Sequence, residues 1–290
     1  MERLTLNNGV LAVEISPLGA EVKSLIKNGV EYLWQGDEKF WSGQAPNLFP
    51  IVGRLRDGKY LHNGKEYELG CHGFARKQVF SVESQTENKI VVVLTENEET
   101  KKVYPFNFIF KVIYTLDGDT LTVDYQVENP AEEDLYFGVG AHPGFNVPLN
   151  NGTFSDYYLE FSAPSNPKAF VCSARSLFCK DLVPFTLKDG KKLVMTKEQW
   201  IESGGVYLDG TPDTVTLKSD IYPCSVSVKS NMRYTCFWSA PNSNFICIEP
   251  WESIPDIEKD EGAGEISQKE SMIKLSKGET FTKFYSITVK

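Results

Sequence analysis

The stretch Phe106-Asn107-Phe108-Ile109-Phe110-Lys111-Val112-Ile113-Tyr114-Thr115-Leu116-Asp117-Gly118-Asp119-Thr120-Leu121-Thr122-Val123-Asp124-Tyr125-Gln126-Val127-Glu128 is built around one Asp-Gly step. Before the step, Phe106, Phe108, Phe110, Val112 and Tyr114 fall on one face, with Asn107, Lys111 and Thr115 among the residues on the other. After it, Leu121, Val123, Tyr125 and Val127 alternate with Thr122, Asp124, Gln126 and Glu128. A period of two is the mark of a half-buried strand rather than a helix. Asp-Gly supplies the positive φ of a tight turn, so the two halves are predicted to pair as an antiparallel hairpin, ended by Asn129-Pro130.

The pattern repeats outward from this hairpin. Asn8-Gly9, Asn28-Gly29, Asn63-Gly64 and Asp189-Gly190 are further turn signals, and strand-like segments run over 90–94, 157–161, 215–217, 225–228, 235–238, 245–248 and 281–288. Helical periodicity is confined to a short turn near 197–201. The expected architecture is all-β, a large antiparallel β-sandwich forming a single domain over residues 1–290. With 41% hydrophobic and 12% aromatic residues, the chain can bury a sizeable core. The charged, glycine-containing segment 256–270 reads as a surface loop, and its Gly262-Ala263-Gly264 lacks the strand-to-helix setting of a phosphate cradle.

Composition narrows the function. A net charge of −9 opposes binding to nucleic acid or anionic membrane surfaces. No signal-like start or membrane-length apolar run is present, which points to a cytoplasmic protein. The six cysteines form no C-x-x-C pair and are expected as free thiols, and the three histidines do not complement them at zinc-ligand spacing, so zinc is not expected.

Four short segments could carry chemistry. His72, in Cys71-His72-Gly73-Phe74-Ala75-Arg76, reads equally as a polar contact or as a structural histidine bonded to a nearby carbonyl. His142 lies among Gly138, Gly140 and Gly144, which leave room for a ligand, with Pro143 stiffening the loop. His62, in a hairpin turn, reads as a solvated turn residue. Glu249 is a carboxylate in the apolar run Phe245-Ile246-Cys247-Ile248-Glu249-Pro250-Trp251, with Pro250 read as the strand end; it needs a purpose or a mate, and Arg233 is a candidate mate. Glu252 alternates to the opposite, solvated face. Arg54, after Leu48-Phe49-Pro50-Ile51-Val52-Gly53, offers a donor fork suited to oxygen-rich ligands, or else is a surface arginine ending a strand. A carboxylate and an imidazole suffice to open a cyclic hemiacetal, one taking the anomeric hydroxyl proton and the other protonating the ring oxygen. With ordinary pKa values of about 4.3 and 6.5, the Glu would be ready as base, and a neighbouring carboxylate or phosphate would raise the His to a useful acid.

Taken in order, Leu48-Phe49-Pro50-Ile51-Val52-Gly53-Arg54-Leu55, His72-Gly73-Phe74-Ala75-Arg76, Ala141-His142-Pro143-Gly144-Phe145-Asn146 and Ile248-Glu249-Pro250-Trp251 resemble the aldose 1-epimerases, more closely their galactose mutarotase-like or LacX-like branch. The resemblance runs over nearly the whole chain. It implies the galactose mutarotase-like supersandwich fold and an isomerase that interconverts the α and β anomers of an aldose without metal or cofactor. It further implies His142 as general acid, Glu249 as general base, and Arg54, His72 and Arg76 as sugar contacts. Two positions depart from the family pattern. Lys77 stands where the branch carries an acidic residue, which bears on how Arg76 is oriented. Gly204 stands where mutarotases carry a hydroxyl-binding aspartate, leaving Asp209 as the substitute and galactose itself open to question. The alternatives are a hexose-6-phosphate 1-epimerase, with Arg54, Arg56, Lys59, Arg76 and Lys77 around the phosphate, and a sugar-binding protein without turnover. The expected partner is a small-molecule sugar, hexose or hexose phosphate, and the expected assembly a monomer or homodimer.

Overall fold

A computed structural model describes residues 2–198, 200, 204–258 and 264–290. The hairpin forms as the alternation requires. Strand Ile109–Asp117 pairs antiparallel with Thr120–Glu128 in the register Phe110 to Val127, Val112 to Tyr125 and Tyr114 to Val123. Gly118, at φ 53°, takes the first of the two loop positions. Phe106 and Phe108 precede the strand, yet both are buried, so the inward alternation starts before the ladder does.

This hairpin lies inside a nine-stranded sheet running, edge to edge, Lys192–Val194, Tyr157–Phe161, Thr214–Ser219, Val226–Ser230, Thr280–Val289, Thr120–Glu128, Ile109–Asp117, Lys89–Thr95 and Ser81–Gln85. A second sheet includes, in order, Phe178–Pro184, Lys168–Cys172, Val206–Asp209, Tyr234–Trp238, Phe245–Trp251, Gly140–Ala141 and Asn47–Leu48. Aromatic side chains join the two: Phe49 stacks on Phe110 at 4.5 Å between centroids, and Phe161 meets Phe237 edge-on at 5.9 Å. All pairings between strands in these two sheets are antiparallel, the architecture of a large β-sandwich.

Four expectations change. Strand Phe245–Trp251 does not stop before Pro250: Pro250 pairs with Thr235, and its missing N–H is tolerated because the opposite neighbour is itself interrupted at His142-Pro143, between Gly140–Ala141 and Gly144–Asn146. A six-residue helix, Glu98–Val103, was not foreseen; a capping box between Asn97 and Thr100 starts it. His62 is not a solvated turn residue, since its ring packs on Phe106 at 4.5 Å. The segment 256–270 is not wholly surface: Asp256 and Lys269 are buried and form an ion pair of 2.5 Å. Within it, Gly262 and Ala263 lie outside the described residues. Of the stretch 197–201, Lys197, Glu198 and Trp200 are helical, and Gln199 and Ile201 lie outside the described residues. No helix among the described residues is long and apolar enough to cross a membrane.

One close approach sets up the next section. Gly73 (φ 68°) bridges Phe49, whose carbonyl accepts N–H bonds from Phe74 (3.0 Å) and Ala75 (3.1 Å). A Cβ on Gly73 would overlap that carbonyl. Gly73→Ala is therefore expected to destabilise by roughly 1–3 kcal/mol. Gly29→Ala, also at positive φ (77°) but with open space around its Cβ, should lose less in the same urea titration. Equal losses would remove the close approach as the cause.

Candidate active site

The second sheet presents Cys247, Glu249 and Trp251 along one face of its strand Phe245–Trp251, by the period of two. His142 sits in the break of the neighbouring edge, next to the same strand. The break is what lets an imidazole reach in: its Nε2 lies 3.3 Å from Glu249 Oε2. Trp251 Nε1 donates to the same oxygen at 3.1 Å. Both groups line a cavity of about 630 Å³, although His142 is only 8% and Glu249 1% exposed. Trp41 stacks on the His142 ring at 4.9 Å, and Trp238 meets it edge-on at 5.7 Å.

His72 enters from the Gly53 loop. Its backbone N–H donates to the Gly53 carbonyl (2.8 Å), and the Gly53 N–H donates back to His72 Nδ1 (3.0 Å). Nδ1 thus accepts, so a neutral ring carries its proton on Nε2. The alternative of a structural histidine and that of a cavity contact hold together: the ring is clasped by backbone and also lines the cavity, 5.5 Å from the His142 ring. Arg54 and Arg76 line it too. Arg76 Nη2 donates to the Cys71 carbonyl at 3.1 Å, while its Nε is buried with no partner among the described residues.

Electrostatics departs from the simple expectation. Burial pushes the Glu249 carboxyl well above the usual range, against the Trp251 hydrogen bond that favours the carboxylate. Burial pulls the His142 imidazole down to about 3, with the Arg76 charge adding to the effect; its own backbone carbonyl opposes the shift without reaching hydrogen-bond geometry to Nδ1. Burial also holds His72 well below its ordinary value, assisted by His142, Arg76 and Arg54. A neighbouring carboxylate is present beside His142, as anticipated, but loss of water outweighs it. Burial thus works against charge on both members of the pair.

Asp209 is not brought to the cavity. It lies two residues beyond Tyr207 on strand Val206–Asp209, where Arg233 pairs with it at 3.2 Å. That pairing also removes Arg233 as a mate for Glu249. Glu252 is paired with Lys283 at 3.1 Å rather than free in solvent. Gly204 does line the cavity, with open space where a Cβ would stand, while Ser203 beside it lies outside the described residues. Of the five cations considered for a phosphate, only Arg54 and Arg76 line the cavity; Lys59 is paired with Glu66 at 2.8 Å. Residues not foreseen as contacts complete the wall: Trp41, Tyr207, Trp238, Ser173 and the thiols Cys71 and Cys172. One donor atom each of His142, Cys247 and Glu249 lie within 4.8 Å of one another, the one grouping among the described residues able to hold a metal ion.

The sequence model of the aldose 1-epimerase family matches residues 2–288. The plasmid and chromosomal LacX proteins of Lactococcus lactis subsp. lactis are each 34% identical over 300 aligned residues, covering 99% of this chain and 99% of theirs. A solved galactose mutarotase related enzyme of Lactobacillus acidophilus is 32% identical with a TM-score of 0.92, over 100% of this chain and 97% of that one. A galactose mutarotase-like protein of Lactobacillus casei is 28% identical with the same TM-score of 0.92, over 100% of both chains. With the antiparallel sandwich, the family match over almost its full length and these relatives in agreement, the chain belongs to the aldose 1-epimerase family, and so to the isomerases of the mutarotase type.

Proposed function

We propose that the chain, as one domain over residues 1–290, interconverts the α and β anomers of an aldose by ring opening and reclosure, with Glu249 and His142 moving the protons. The observation that carries this reading is their 3.3 Å approach at the base of an aromatic-walled cavity. One proton shared by the pair is the right number. Transfer from Glu249 to His142 leaves a carboxylate and an imidazolium, stabilised by each other at that distance. The carboxylate takes the proton of the anomeric hydroxyl, the imidazolium gives its proton to the ring oxygen, and the C1–O5 bond breaks to leave a carbonyl. The C5 hydroxyl then attacks the other carbonyl face, His142 takes the hydroxyl proton, and Glu249 returns one to the carbonyl oxygen. No proton is gained or lost over the cycle. His72 Nε2–H, Arg54 and Arg76 supply donors for sugar oxygens, and Trp41, Tyr207, Trp238 and Trp251 offer flat apolar faces to the ring.

Polarimetry on freshly dissolved α-glucose, α-galactose and a wider panel of aldoses, with His142→Ala as control, tests the reading. A rate above buffer background that the variant loses supports it; no acceleration on any aldose overturns it. A second reading, an aldose bearing an anionic group such as a 6-phosphate, rests on one observation. Arg54 and Arg76 line the cavity, neither has a carboxylate within ion-pair distance among the described residues, and Glu249, the sole acidic lining residue among those described, is held toward its neutral form. A preference of more than about tenfold for glucose 6-phosphate over glucose, abolished in Arg54→Ala or Arg76→Ala, would establish that version; about tenfold corresponds to 1.4 kcal/mol of discrimination.

A further inference from the structure

Cys247 has no part in the proton transfers, yet it is fully buried beside them, two residues before Glu249 on the same strand face. No hydrogen bond among the described residues holds its thiol. It packs in a cluster with Trp34, Ala240 and Phe245, against Trp41 and Trp238, and its Sγ comes within 3.4 Å of where a Cβ on Gly144 would lie.

We propose that His142, Cys247 and Glu249 form an inhibitory binding site for a thiophilic divalent cation of the zinc type, whose occupancy withdraws the acid–base pair from the sugar. The spacing suits the ion. Metal–nitrogen and metal–oxygen bonds of about 2.0–2.1 Å at a tetrahedral angle put N and O about 3.3–3.4 Å apart, and Nε2 and Oε2 already stand at 3.3 Å. A metal–sulfur bond of about 2.3 Å needs Sγ about 3.6 Å from each, an approach of roughly 1 Å from the outer limit of the cluster. His142 and Glu249 line the cavity, which gives the ion its route of entry. Charge closes as well: one thiolate and one carboxylate neutralise a dication, so the loaded site buries no net charge, and a soft sulfur selects zinc or copper over magnesium or calcium. With the metal in place the carboxylate's charge is drawn to the cation, which weakens it as a base, and the imidazole nitrogen that would protonate the ring oxygen is occupied as a ligand. This inference takes the identity of the acid–base pair from the proposed function, but the binding itself is independent of turnover.

Chelator-treated protein titrated with Co²⁺ should bind one equivalent, with a thiolate-to-cobalt charge-transfer absorption that Zn²⁺ displaces. The absorption should vanish in Cys247→Ser and Cys247→Ala and persist in Cys71→Ser and Cys172→Ser, the thiols that line the outer cavity. Zn²⁺ should inhibit anomer interconversion reversibly, and Cys247→Ala should keep the basal rate while needing at least about tenfold more Zn²⁺ for the same inhibition, since loss of a ligand costs no less than loss of its support. Zn²⁺ should also raise the melting temperature of wild type but not of Cys247→Ala, which covers a serine variant that folds poorly. Cobalt absorption that survives in Cys247→Ala, or the absence of any stoichiometric binding, overturns the site. Absorption without catalysis on any aldose would leave the site standing and remove the mutarotase reading instead.

Discussion

Glu249→Gln is expected to lower kcat for anomer interconversion by about 10²–10⁴-fold, the usual range for loss of a general base, while the variant stays folded and unfolds with a different pH dependence. The amide keeps the shape of the carboxyl and can still accept the Trp251 N–H, so packing is preserved. What changes is the proton count. In the folded wild type Glu249 is held protonated and His142 neutral; in the unfolded chain their values return to about 4.3 and 6.5. Between those two values each state carries one proton on the pair, and stability has no slope from it. Above about pH 6.5 the unfolded chain has released its histidine proton, so over the range in which the raised folded carboxyl still binds one, wild-type stability falls as pH rises, by about 1.4 kcal/mol per pH unit at most. Below about pH 4.3 the unfolded chain binds two protons to the folded one's one, and stability falls as pH falls. In Glu249→Gln only the depressed His142 remains, so stability should rise up to about pH 6.5 and then level off. Urea unfolding of both proteins at pH 6 and pH 8.5 reads the difference directly. Parallel behaviour above pH 6.5 would mean the carboxylate is ionised in the folded protein, and the shared-proton mechanism would be wrong.

Lys269→Met should give the largest loss of stability, about 3–5 kcal/mol, because it strands a carboxylate in the interior. Asp256 and Lys269 are both buried and pair at 2.5 Å; without the ammonium, Asp256 Oδ2 keeps one donor, the Arg56 N–H at 2.9 Å. Asp256→Asn combined with Lys269→Met should recover most of the loss, since a neutral amide still accepts that N–H and no charge is left behind. Denaturant unfolding of the single and double variants checks this. A single variant within about 1 kcal/mol of wild type would mean the pair is solvated, as exposed pairs are worth no more than that. The backbone consequence is local to the cavity. Asp256 donates its N–H to the Arg54 carbonyl (2.9 Å) and accepts from Phe178 (3.0 Å), so KM should rise in Lys269→Met with the displacement of Arg54.

Much of this was legible from the chain alone, for identifiable reasons. The hairpin around Gly118 was readable because one face is buried and the other is not, which writes the period of two into the residues. His142 and Glu249 stood out because each is a polar group where the surrounding residues are small or apolar. Trp41, Tyr207 and Trp238 did not, since an aromatic in a strand-rich chain has the same signature whether it packs in the core or walls a cavity. Trp251 could have been found: it stands two residues after Glu249 in a strand, hence on the same face. Asp209 was offered as the substitute for the family aspartate missing at Gly204, by resemblance alone; it stands at the end of its strand beside Arg233 and is not among the residues that line the cavity. Asp256 and Lys269 were hidden by their company. A charged run reads as solvated, and only the fold brings two opposite charges 13 positions apart into one dry place. The helix Glu98–Val103 lacks apolar periodicity altogether and is specified by its cap.

Asp256 also fixes how the cavity works as a container. One wall hangs from its N–H through Arg54, the other from its carbonyl through Phe178, and Pro255 packs onto Gly53 between them. Among the described residues these two sides share one attachment, with no hinge between them. A ligand docking between these two sides would meet a mould set when the chain folded, so none of its binding energy would be diverted into drawing these two walls together.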